Sequence, residues 1–170
     1  DMFKGLSPWM RWLPGGLLHT NIAGCTLFAA VSGSSAATLT TVGKMSIPEL
    51  RKRNYPEKIL LGSLAGSGTL GLLIPPSIIL IIYGVTVQES IAKLFIAGII
   101  PGIMIALIFM SYVIIWSLIN KKSMPKYVEN LSFLEKIKKS KQLLPVIILI
   151  SAVIGSIYTG VATATEAASL

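Results

Sequence analysis

Two short stretches concentrate hydroxyls, glycines and prolines inside uncharged, apolar sequence, and the chemistry this chain could do is gathered in them. The first is Ser32-Gly33-Ser34-Ser35. The second is Gly66-Ser67-Gly68-Thr69-Leu70-Gly71-Leu72-Leu73-Ile74-Pro75-Pro76-Ser77. Small residues and a proline pair are poor helix sequence, so both stretches free hydroxyls and backbone carbonyls from helical bonding. Such oxygens are hard donors that suit a sodium ion, with no carboxylate strictly required. Helix N-termini at the same breaks would turn positive dipole ends inward and favour an anionic carboxylate. The competing reading is that small residues only let helices pack closely. Gly62, Gly66 and Gly84 fit that role.

Other chemistry has little support. His19 is the single histidine and no acidic residue lies near it, so a Ser-His protease built from His19 and a serine of the first stretch lacks a second motif. One histidine and one cysteine cannot form a His/Cys metal site. Cys25 lies in an apolar run and reads as a small buried hydrophobe. Glu166 could ligate an ion, but its spacing from Thr163 is that of a capping box, and the structural role is favoured. No enzyme, cofactor or nucleic-acid interface is expected.

The elements that carry these stretches follow from where charge is missing. Hydrophobic residues make up 53% of the chain and charged residues 13%, about half the charge of a soluble domain. Residues 12–43, 59–86, 94–120 and 143–165 hold no Asp, Glu, Lys or Arg. Uncharged apolar runs of ~18 residues or more read as membrane spans, so the expected fold is an all-α, polytopic membrane protein. The net charge of +8 sits in short loops between these runs, where it sets topology rather than binding nucleic acid. Trp9 and Trp12 beside Arg11 fit an interfacial anchor, and Ser7-Pro8 reads as a helix start.

The first run, 32 residues long, exceeds one span and falls short of two. Basic residues flank both its ends. The economical solution is a re-entrant hairpin with its tip at Ser32 to Ser35, against the alternative of one tilted or kinked helix. Ser46-Ile47-Pro48-Glu49 has capping-box spacing and predicts the start of a short basic helix with Arg51, Lys52 and Arg53, ended by Tyr55-Pro56. The second run predicts a discontinuous helix, broken around Gly71 to Pro76, with Leu73 and Ile74 losing their helical carbonyl partners, against the alternative of a proline kink; the double Pro next to Gly-Ser-Gly-Thr favours the break. Residues 94–120 predict a full span with a mild kink at Pro101-Gly102, and residues 142–158 a further span. Lys121, Lys122, Lys126, Lys136, Lys138, Lys139 and Lys141 outnumber Glu129 and Glu135 and place that loop, like residues 44–58, in the cytoplasm. The expected units are 1–54 (interfacial helix, hairpin, basic helix), 55–120 (broken helix and full span), 121–141 (basic loop) and 142–170 (a span and the start of a second half). The chain is expected to be a piece of a longer protein.

Several ordered elements resemble one family. Residues 30–38 (Ala-Val-Ser-Gly-Ser-Ser-Ala-Ala-Thr), Gly68-Thr69-Leu70-Gly71, Ile74-Pro75-Pro76-Ser77, residues 97–102 (Ala-Gly-Ile-Ile-Pro-Gly) and 163–168 look like the large permease subunit of TRAP transporters. Leu72 and Ala164 stand where many relatives have Pro. The resemblance implies an elevator-type member of the ion-transporter superfamily with two inverted repeats, of which this chain holds the first hairpin and broken helix. It implies sodium-driven import of organic acids such as C4-dicarboxylates or sialic acids. The implied partners are a small membrane subunit and a periplasmic binding protein, in a bacterial or archaeal cytoplasmic membrane. By the matched motifs, Ser32, Gly33, Ser34, Ser67, Gly68, Thr69, Leu70, Gly71 and Leu72 would form a sodium site, and Ser35, Thr38, Pro75, Pro76 and Ser77 would approach substrate. The alternatives are an elevator-type symporter that needs no binding protein, and a membrane scaffold without transport.

Overall fold

The computed structural model describes residues 2–125, 137 and 140–158. Every regular element among them is helical. In chain order these are α1 (Met2–Met10), α2 (Leu18–Ser32), α3 (Ser35–Lys52), α4 (Glu57–Gly68) with a 3-10 turn over Thr69–Leu72, α5 (Ile78–Val87), α6 (Ile91–Ile119) and α7 (Leu144–Tyr158). Short 3-10 turns cover Lys121–Ser123 and Lys141–Leu143.

Helix α2 is the hub, packing against α1, α3, α4, α6 and α7. Its buried residues lie all around its surface, His19, Thr20 and Asn21 among them, as expected of a helix surrounded by others. The charge-free run begins at Trp12, but residues 11–17 form turns held by Gly15 and Gly16 at positive φ. A Cβ at Gly15 would lie 2.7 Å from Val113 and 2.8 Å from the Ser117 hydroxyl, so only glycine lets this turn approach α6. The Leu17 amide then donates to the Tyr55 hydroxyl at 3.1 Å, tying the start of α2 to the α3–α4 connection.

Helices α2 and α3 form an antiparallel hairpin. Gly33 ends α2 in the left-handed conformation, and Ser34 is extended and caps α3 with its side chain. Cys25 and Val42, eight residues before and nine after Gly33, share one packed cluster, and Leu18 and Leu50 share another.

Two local expectations differ from the structure. Helix α1 runs through Ser7-Pro8 instead of starting there, and Ser7 is buried beside Leu6, which packs with Cys25 and Leu64. Helix α3 runs through Pro48 to Lys52, so the spacing at Ser46 is not a cap; Ser46 is fully buried. Pro48 removes one bond, to the carbonyl four residues back, but both Pro48 and Lys44 are exposed and water can serve that carbonyl. The expected full span over residues 94–120 falls on one helix, α6, which carries Pro101 inside it.

Helix α6 is long and apolar enough to cross a membrane, and α5 and residues 144–153 are shorter apolar helices. Its buried residues (Phe95, Gly98, Gly102, Ala106, Val113 and Ser117) make one stripe. Much of the rest of its surface, Ile100, Leu107, Ile108 and Ile119 included, is exposed and apolar. Contiguous exposed apolar surface on this scale suits lipid or further protein, not water.

Candidate functional site: the hairpin tip against the broken helix

The break between α4 and α5 is graded. Helix α4 ends at Gly68, tightens into the 3-10 turn, and residues 73–77 leave helical geometry before Ser77 caps α5. Sequence alone expects Leu73 and Ile74 to lose their helical partners. Instead both amides donate to the Leu70 carbonyl, at 3.0 and 2.9 Å. The Leu72 carbonyl, whose helical donor would have been Pro76, takes the Ser77 hydroxyl at 2.6 Å. The turn therefore satisfies several of its own groups, and the number of carbonyls left for a ligand is smaller than the proline pair alone implies.

The hairpin tip docks on this break through backbone. A Cβ at Gly33 would lie 2.6 Å from the Pro76 carbonyl oxygen, and a Cβ at Gly71 would lie 2.7 Å from the Ser34 carbonyl carbon and oxygen. The Ile78 amide donates to the Gly33 carbonyl at 3.4 Å. Gly33, Ser34, Ser35, Gly71, Pro76 and Ser77 thus meet in one place. The N-termini of α3 and α5, capped by Ser34 and Ser77, converge there. Pro75, Pro76 and Ser77 are buried, while Ser34 and Ser35 are partly exposed.

The remaining candidates sit around this contact with different commitments. The Ser32 and Thr38 hydroxyls are 2.8 Å apart, and Ser32 also donates to the Ser34 carbonyl at 3.3 Å. Thr38 is fully buried and braces the tip from inside. Ser67, buried in α4, donates to the Ser63 carbonyl at 2.6 Å. Thr69 is exposed and donates to Gly66 at 2.7 Å. Gly68 lies against Leu39 of α3, Leu70 is buried, and Leu72 is exposed. A hydroxyl that donates to a carbonyl keeps its lone pairs, so these oxygens can still face a cation. Glu166 and Thr163 lie outside the described residues.

Two seats for the break went unread in the sequence. A Cβ at Gly98 of α6 would lie 3.1 Å from the Leu73 carbonyl oxygen, and one at Gly102 2.9 Å from the Ile74 side chain. Their spacing of four places them on one helix face, a signal that reads as a packing stripe. His19 is remote from the tip. It bonds the Pro14 carbonyl at 2.8 Å and stands thirteen residues before Ser32 on the same helix, about 20 Å away along its axis.

A helical chain with a long apolar helix and two helix breaks packed together has the design of a membrane transport protein, in which interrupted helices line a site. Residues 7–170 match the family described as the DctM component of the tripartite ATP-independent periplasmic transporter, and the chain belongs to that family. It is 38% identical to the C4-dicarboxylate TRAP transporter large permease protein DctM of Pseudomonas aeruginosa, over 92% of this chain and 36% of that protein. It is 40% identical to the ectoine/5-hydroxyectoine TRAP transporter large permease protein UehC of Ruegeria pomeroyi, over 91% of this chain and 36% of the relative. The sialic acid TRAP transporter permease protein SiaT of Haemophilus influenzae is 39% identical over 91% of this chain and 24% of its own length. The chain thus spans about a third or less of these relatives.

Proposed function

We propose that this chain supplies one half of the transport site of a sodium-coupled permease for small organic acids. The observation that carries the reading is the direct backbone contact of the tip at Gly33 and Ser34 with the break at Gly71 and Pro76. Ser32, Gly33, Ser34 and the Ser67, Gly68, Thr69, Leu70, Gly71 and Leu72 segment hold sodium through hydroxyls and carbonyls. Ser35, Thr38, Pro75, Pro76 and Ser77 face the organic anion, helped by the two converging helix N-termini. The hairpin is re-entrant, opening toward the cytoplasm, where Arg51, Lys52, Lys121 and Lys122 lie in a cytoplasmic-membrane protein. The domain carrying this site moves in an elevator cycle. A small membrane subunit and a periplasmic binding protein complete the transporter. The substrates in the relatives' names (a C4-dicarboxylate, ectoine and sialic acid) set the class to test.

The test is uptake by the complete transporter in liposomes, with and without a sodium gradient and with and without its binding protein. Uptake that needs both supports the reading. Sodium-dependent uptake without any binding protein points to a stand-alone symporter. Uptake indifferent to sodium refutes the sodium site.

A further inference from the structure

Helices α4 and α6 enclose a groove that the tip–break contact does not use. The two helices run antiparallel: a Cβ at Gly98 would meet Leu73, one at Gly102 would meet Ile74, and one at Gly66 would meet the Phe109 ring at 3.6 Å. From that last contact toward the start of α4 lies a cavity of about 670 Å³. Ile22 of α2, Ile59 of α4 and Ile108, Phe109 and Val113 of α6 line it with apolar surface. Ser63 is polar, but its hydroxyl already donates to the Leu60 carbonyl at 3.0 Å and accepts from Asn21 at 3.1 Å. Gly62 also lines the cavity, and nothing lies within 4 Å of the Cβ it lacks. Here a glycine opens a space instead of drawing two helices together.

The cavity is polar at one end. Lys58 and Trp116 both line it, each about two helical turns, ~12 Å, from the Gly66–Phe109 contact along its own helix. Tyr112 lines it one turn before Trp116. All three side chains carry a hydrogen to donate, and none is an anion. Lys121 and Lys122, exposed just beyond α6, add positive charge at the same end. Glu57, the acid next to Lys58, is ion-paired with Arg51. A length of ~12 Å is close to half of a ~30 Å hydrocarbon core.

We propose that an anionic phospholipid of the surrounding bilayer occupies this groove. Its phosphate meets the Lys58 ammonium and the Trp116 indole at the mouth, where amphipathic aromatic rings sit at headgroup level. One acyl chain runs inward over Gly62 and ends against the Phe109 ring. A transmembrane helix is the other occupant that such a groove could take. It would cover Lys58 without bringing a negative charge to it, which is costly in apolar surroundings; the phosphate removes that cost. The inference rests on the membrane reading of the chain and is independent of the sodium site.

The test uses the complete permease in detergent with photoactivatable phospholipids that carry a diazirine midway along one acyl chain. Cross-linked peptides are mapped by mass spectrometry. Phosphatidylglycerol should label residues 62–66 and 108–113, and the phosphatidylcholine analogue should label them far less. Lys58→Gln should raise the phosphatidylglycerol concentration for half-maximal labelling about fivefold. Gly62→Phe, which fills the open space, should abolish the labelling. Equal labelling by the two lipids overturns the proposal, as does labelling that neither substitution changes. Absence of labelling on both helices overturns it as well and assigns the groove to a protein helix. If Gly62→Phe fails to fold, the Lys58→Gln titration decides alone, since that side chain is exposed and its loss leaves the packing intact.

Discussion

Replacing Gly71 by alanine tests the tip–break contact with the smallest available change. The added Cβ would lie 2.7 Å from Ser34 carbonyl atoms and 2.8 Å from the Ser35 amide nitrogen, where ordinary contact begins at 3.4 Å. All three atoms are backbone, so no side chain can swing aside. The tip must withdraw by about 0.7 Å, a separation at which close-packed groups lose much of their attraction. Overpacking of this kind costs ~1–3 kcal/mol. Charged wholly to the sodium-bound form, that energy raises the sodium concentration for half-maximal uptake about 5- to 150-fold. The assay is uptake by the complete transporter in liposomes at saturating substrate, titrated with sodium, after confirming normal yield and a single size-exclusion peak. The matched control is Gly62→Ala, where nothing lies within 4 Å of the new Cβ; its sodium dependence should not move. A well-folded Gly71→Ala transporter with half-saturation within twofold of the parent would show that the tip contact does not build the sodium site.

Other consequences are separately testable. Gly62→Ala should raise thermal stability by up to ~1 kcal/mol, since it replaces an unencumbered helical glycine, and a melting curve checks this. Ser77→Ala removes both the α5 cap and the bond to the Leu72 carbonyl; it should cost ~1–3 kcal/mol of stability and weaken uptake more than Thr69→Val, whose hydroxyl is exposed and bonds its own turn. Cysteines placed at the exposed positions Lys52 and Lys121 should resist a membrane-impermeant reagent added from outside, and strong labelling there would invert the topology. Tyr55 ties the α3–α4 connection to Leu17, and burial pushes its phenol above the usual value of 10.0, against the opposing pull of the Leu17 amide and the Arg53 and Arg11 charges. A raised folded pKa gives stability that is complete below pH ~10 and lost as pH climbs through the folded value. Tyr55→Phe should therefore flatten the alkaline end of the stability profile.

What the sequence revealed depended on quantities that survive without tertiary knowledge. The 32-residue charge-free run is a length argument, and bilayer thickness is a fixed ruler. The hairpin turns at Gly33–Ser34, inside the stretch that argument singles out, because glycine tolerates the left-handed φ that ends α2 and serine caps the start of α3. The proline pair is a covalent constraint, and α4 and α5 are separate helices. That the two interruptions touch is not a local property. It requires Gly33 to pass Pro76, Gly71 to pass Ser34, and Gly98 and Gly102 to admit the break against α6. A glycine's role as a seat is visible only once its neighbour is known.

The misread boundaries fail for one physical reason. Ser7-Pro8 and Ser46-Ile47-Pro48-Glu49 both carry the local chemistry of a helix start, worth about 1 kcal/mol as a cap. In both places the helix continues, because stopping it would expose more apolar surface than a cap recovers. Leu6 beside Ser7 and Leu50 beyond Ser46 are each buried in a core cluster, and burying one such side chain contributes ~1.5–3 kcal/mol. Proline's missing donor is inexpensive at Pro48 because water can reach the carbonyl it leaves free. At Pro76 the corresponding carbonyl is that of Leu72, and it takes the buried Ser77 hydroxyl instead of water. Whether a proline bends, breaks or merely interrupts is therefore decided by access of water or a neighbouring hydroxyl to one carbonyl, and residue spacing carries no record of that access.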